Sequence, residues 1–102
     1  MAIWRLPPAG SGVSARALTR RLAREGCHEV LLESGPRLGS ALLRAGLVDR
    51  VACFVAPKLL GDPGLAWCGD LGRASLADAM PGRIVRVGRA GDDAFLLMEI
   101  DH

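Results

Sequence analysis

The chain predicts an α/β fold: a β-α-β-α-β parallel core that ends in an antiparallel hairpin. Three observations point there. Short apolar runs alternate with segments whose apolar residues recur at helical spacing. Each helical segment stops at a glycine, Gly26 or Gly46, and the second one starts at Gly35-Pro36. Near the C-terminus, "RIVRVGR" and "AFLLMEI" flank "AGDD", the pattern of a hairpin.

In chain order, residues 2–6 (AIWRL) are the first expected strand, stopped by Pro7-Pro8 and the small residues of "AGSG". Ser14 is placed to cap a helix running to about Glu25. Ala15, Leu18 and Leu22 share one face of it, while Arg16, Arg20, Arg21 and Arg24 face elsewhere as a solvated surface. "HEVLLE" (28–33) follows, and its Val30-Leu31-Leu32 run suits a strand covered on both faces. Pro36 then occupies the first helical position, where its missing N–H costs nothing. Leu38, Ala41, Leu42 and Ala45 form the buried stripe of this second helix, and Leu47 is placed to pack beyond the Gly46 stop. "RVACFVAP" (50–57) is the third strand. Residues 58–82 are rich in Gly and Pro and hold one short helical turn near Ser75–Met80.

A chain of 102 residues, 50% hydrophobic and 24% charged, is a folded domain or a piece of one. At this length it has little stability to spare. No apolar run approaches the roughly 18 residues of a membrane span, and the N-terminus lacks the charged start and long apolar stretch of a signal peptide. A cytoplasmic location is the default. The net charge of +2 is uneven: residues 1–50 carry eight Arg against four acids, and residues 51–102 five bases against seven acids. Two Trp, two Phe and no Tyr, without a dense basic patch, argue against a nucleic-acid binder. Cys27, Cys53 and Cys68 form no C-x-x-C pair and have only His28 and His102 to join them, so no zinc site is expected. Cys27 and Cys53 read as small buried hydrophobes.

The junction "LLESGPRL" (31–38) is the candidate site. A helix start offers backbone N–H groups without helical acceptors and the positive end of the helix dipole. Where it follows a strand at the carboxyl edge of an open α/β sheet, it is a place for ligands. Gly35 lets an anion approach, and the amides of Arg37 and Leu38 would meet a phosphate or pyrophosphate. The P-loop pattern is not met, since no Lys lies between Gly35 and Ser40. Glu33 has two readings: a carboxylate stabilising the helix dipole, or an acceptor for a polar substrate held beside the phosphate. The residues alone do not choose between them.

"VLLESGPRLGSALLRAGLVDRVACFVAPKLLG" (30–61) resembles the reductase domain of the bifunctional riboflavin-biosynthesis deaminase/reductase, a family with the dihydrofolate-reductase-like fold. The resemblance rests on strand–Glu33–Ser34–Gly35, an amphipathic helix, Gly46-Leu47-Val48-Asp49, a strand, and Ala56 through Gly61. It extends through "SLADA" (75–79) and "VGRAGDDAFLL" (87–97). It implies NADPH-dependent reduction of 5-amino-6-(5-phosphoribosylamino)uracil to the ribitylamino form, with hydride delivered to the sugar C1. Carried over by position, Ser34, Gly35, Arg37 and Leu38 would hold the cofactor's pyrophosphate, and Glu33 would contact the phosphoribosylamino-pyrimidine substrate. No metal is implied, and no residue is assigned as catalytic acid. Ser34 stands where the family often has Gly.

On this resemblance, residues 1–102 are the C-terminal portion of a single reductase domain. The segment that supplies the family's first strands is expected to be missing. Two expectations follow: the chain self-associates as a homodimer or similar assembly, and alone it turns over substrate poorly. Two alternatives are another dihydrofolate-reductase-like NADPH reductase, and a non-catalytic binding or assembly module that keeps the fold.

Overall fold

The computed structural model describes residues 5–6, 8–9, 12–61 and 64–101. Pro8–Ala9 (β1) and Gly12–Val13 (β2) pair antiparallel in a two-residue hairpin. The expected strand over 2–6 falls largely outside the described residues.

Helix α1 spans Ala15–Arg24, and Ser14 caps it as its pattern requires, the side chain accepting from the Ala17 amide at 3.2 Å. Helix α2 spans Pro36–Arg44. Both helices end alike. The amide of the residue after each glycine returns to the carbonyl five residues earlier: Cys27 to Leu22 and Leu47 to Leu42. Gly26 and Gly46 sit at φ 84° and 69°, the left-handed conformation that this cap demands and that glycine adopts without strain. The stripe on α2 is wider than the spacing implies. Leu42 and Leu43 are 7% and 8% exposed and are the buried hydrophobic residues among those described, with Ser40 at 3% beside them.

The sheet departs from the expected parallel core. Its strands, Arg50–Val55 (β3), Gly82–Ala90 (β4) and Asp93–Ile100 (β5), lie in the order β3-β5-β4, and both pairings are antiparallel. β5, the second strand of the closing hairpin, is therefore the centre of the sheet. The expected strand over 28–33 is corrected to irregular chain: no described strand pairs with it, and Leu31 is 80% exposed. An apolar run becomes a strand only where a neighbour accepts its backbone hydrogen bonds, and the described residues supply none there. The 75–80 turn is present as a short 3-10 helix, Leu76–Asp78.

Alternation along the strands separates two faces of the sheet. Val51 and Met98 face α2 and the 67–80 loop, around a cleft that Leu43 also lines. On the other face Phe54 and Phe95 stack with ring centroids 5.0 Å apart, and the Arg86 guanidinium lies 5.9 Å from the Phe95 centroid. Glu99 bridges the strands there, 3.4 Å from Arg50 and 2.9 Å from Arg83. The cysteines do not follow the expected burial: Cys27 is exposed, and Cys53 and Cys68 are half-buried. The whole chain leaves 8430 Å² accessible and has a radius of gyration of 15.5 Å.

Candidate functional site: the start of helix α2

The site predicted from residues 33–38 is the entry to α2. Gly35 is its N-cap, with φ −69° and ψ 175°, and makes no side-chain cap hydrogen bond. Pro36 follows at the first helical position, and the first turn holds no acidic residue. The positive end of the helix dipole is therefore neither capped by a side chain nor offset by a carboxylate within the turn. A Cβ built on Gly35 would meet nothing within 4 Å, so the space around this backbone is open to an approaching anion. Ser34 donates to the Gly35 carbonyl at 3.1 Å and has no positive φ, so serine is accommodated there without strain.

Glu33, Ser34, Gly35 and Arg37 are exposed, and Leu38 is half-buried. The turn keeps the five residues together in sequence, but the fold does not enclose them. Neither of the two clefts described below is lined by any of them. Glu33 stands on the exposed, unpaired 28–35 segment, and neither cleft is lined by it or by Gly35.

The clefts lie at the other end of α2, where sequence reasoning placed nothing. The first, about 450 Å³, is lined mostly by apolar groups including Leu43, Val51, Trp67, Met80 and Met98, with Asp70 and Arg73 at its margin. The second, about 280 Å³, shares Leu43, Arg73 and Met80 with it. The 67–73 loop that forms the outer wall is tied to α2 by contacts that include a Ser40 Oγ–Cys68 Sγ approach of 3.6 Å and two further hydrogen bonds. The Gly69 amide donates to Ser40 Oγ at 2.6 Å, and Arg44 donates to the Asp70 carbonyl. The Gly-rich composition of 58–82 announced a loop but gave no signal of this docking. Among the described residues no group of His, Cys, Asp and Glu is arranged to hold a metal ion, and no helix is long and apolar enough to cross a membrane.

Comparison with known proteins gives a consistent picture. The RibD C-terminal domain family matches residues 2–86. The Escherichia coli riboflavin biosynthesis protein RibD is 37% identical over 79 residues, covering 78% of this chain and 22% of that protein. The Mycobacterium tuberculosis protein of the same name is 41% identical over 68 residues, covering 67% of this chain and 20% of its own length. Among solved structures, Acinetobacter baumannii RibD superimposes with a TM-score of 0.77 at 27% identity, covering 85% of this chain and 25% of that one. The chain spans about a fifth to a quarter of the length of the relatives it matches. With its sequence matched over residues 2–86 and its architecture shared with a RibD structure, the chain belongs to the RibD C-terminal domain family.

Proposed function

We propose that the chain contributes the cofactor-anchoring part of an NADPH-dependent, cytoplasmic reductase of riboflavin biosynthesis, acting on 5-amino-6-(5-phosphoribosylamino)uracil. Family membership supports the pathway, and the relatives bear the name riboflavin biosynthesis protein. The observation that carries the cofactor reading is the α2 entry: an uncapped helix start, free of acidic residues in its first turn, with open space at Gly35. These residues fit a dinucleotide's pyrophosphate, because a doubly charged anion gains most where amides and dipole act together and no carboxylate within the turn opposes it. Ser34, Gly35, Arg37 and Leu38 would hold the pyrophosphate, and Glu33 would accept hydrogen bonds from the substrate. NADPH, when bound, supplies the hydride. The chain's own share is binding and orientation, which set donor against acceptor and need no catalytic side chain at this turn.

The test is an NADPH titration of the full chain followed by backbone amide resonances. Shifts centred on Ser34 through Leu38, with Glu33→Gln leaving them in place, are the expected result. Shifts confined to the Leu43–Met80 cleft, or none at millimolar NADPH, would overturn the cofactor assignment. Loss of the shifts in Glu33→Gln would move Glu33 from substrate to cofactor.

A further inference from the structure

The larger cleft takes no part in the cofactor reading, and its lining has a chemistry of its own. Its volume of about 450 Å³ falls within the roughly 300–1,000 Å³ typical of small-molecule sites. The sheet supplies Val51 and Met98, α2 supplies Leu43, and the loop supplies Trp67 and Met80. Trp67 is 66% exposed, so most of its indole surface lacks a protein neighbour. An open indole and two thioethers make a polarizable lining that favours an aromatic ring over an aliphatic chain.

Two opposite charges share the polar margin of this cleft. Asp70 and Arg73 both line it, three residues apart on the loop that docks against α2. The chain turns between them at Gly72, whose φ of 72° is a left-handed conformation that glycine adopts without strain. Asp70 Oδ1 accepts from the Gly72 amide at 2.8 Å, and Arg73 Nη1 donates to the Asp78 carbonyl at 2.9 Å. Each side chain is thus held by one atom, which leaves Asp70 Oδ2 and Arg73 Nη2 for a ligand. Neither residue belongs to an ion pair among those described, so the two charges do not neutralise each other. Because the Gly69 amide and the Asp70 carbonyl are already bound to α2, little ordering of the loop is left for binding to cost.

We propose that this cleft binds a free aromatic α-amino acid. Its ammonium donates to Asp70 Oδ2, its carboxylate accepts from Arg73, and its ring lies among Trp67, Met80 and Met98. An α-amino acid carries both charges on one carbon, next to the branch that bears the ring. A ligand with one charge would satisfy one side chain and take water from the other without replacing it. The site lies at the opposite end of α2 from Ser34–Leu38 and is independent of the cofactor assignment.

The experiment titrates L-phenylalanine into the full chain and follows backbone amide resonances. Hydrocinnamate, which lacks the ammonium, phenethylamine, which lacks the carboxylate, and L-leucine, which lacks the ring, are titrated in parallel. Saturable shifts at Gly69–Arg73 and Met80 are expected with L-phenylalanine, and binding of each one-charge ligand should be weaker by at least about tenfold. L-leucine should bind more weakly as well. Arg73→Gln should weaken L-phenylalanine by about tenfold and leave phenethylamine unchanged. Asp70→Asn, which keeps the acceptor for Gly72, should do the same while leaving hydrocinnamate unchanged. Should either variant unfold, the ligand series in the unsubstituted chain still decides. No saturable shift at about 10 mM would overturn the proposal, as would equal binding of all four ligands or shifts centred elsewhere. So would shifts at these residues that follow protein concentration instead of phenylalanine, since the occupant is then a second copy. NADPH shifts at Ser34–Leu38 are read on a separate sample, so either idea can fail alone.

Discussion

Ser40 and Glu99 both make two polar contacts, yet they contribute differently to stability. Ser40 is almost wholly enclosed, its Oγ accepting from the Gly69 amide and lying 3.6 Å from Cys68 Sγ. Removing that oxygen takes away the partner of the Gly69 amide, and losing a hydrogen bond of this kind costs about 0.5–1.5 kcal/mol. Glu99 pairs with Arg50 and Arg83, whose side chains are largely in water. Exposed pairs of this kind are worth about 0–1 kcal/mol and are screened by salt. Ser40→Ala should therefore lower the urea midpoint more than Glu99→Gln, and only the Glu99 effect should shrink in 0.5 M salt. A ranking in the opposite order would mean that the 67–73 loop does not dock on α2 in solution. Neither pairing could be read from the sequence, because both link residues more than fifteen positions apart.

At the scale of elements, α2 carries the buried residues among those described, Ser40, Leu42 and Leu43. Leu43 lines both clefts, wedged between the end of the sheet and the 67–81 segment. Leu43→Ala should cost about 2–5 kcal/mol, a large part of the roughly 5–15 kcal/mol available to a domain of this length. Its first sign should be faster hydrogen exchange at Gly46 and Leu47, whose amides close the α2 cap onto Leu43 and Leu42. Unchanged exchange there would show that α2 stands without its wedge. The helices were legible because everything that defines them is local: Ser14, Pro36, the apolar spacing, and the glycines at positive φ. So was the 90–93 turn of the β4–β5 hairpin. The antiparallel strand order was not, because a strand is a property of a pair. Val30–Leu32 has a strand's composition and no partner among the described residues, while β3 pairs with a strand about forty residues later in the chain.

For the molecule as a whole, the candidate site was legible only where it is local. Residues 33–38 could be picked out as a helix entry with open amides, and the structure places that entry at the surface. Neither described cleft is lined by Glu33, so no local pattern could disclose pocket walls around it. An apolar surface in this state does not stay bare: at tens of micromolar the chain alone should scatter light as a species heavier than 10.8 kDa. The cause sets how that mass responds to conditions. If Phe54 and Val30–Leu32 drive the association, it should persist in 0.5 M salt, which screens charges, and weaken on cooling, which reduces apolar driving force. If the arginines of β4 drive it instead, salt should dissolve it and temperature should matter little. A strict monomer would mean that the exposed Phe54 and Val30–Leu32 surface is covered in solution by chain that folds back on it.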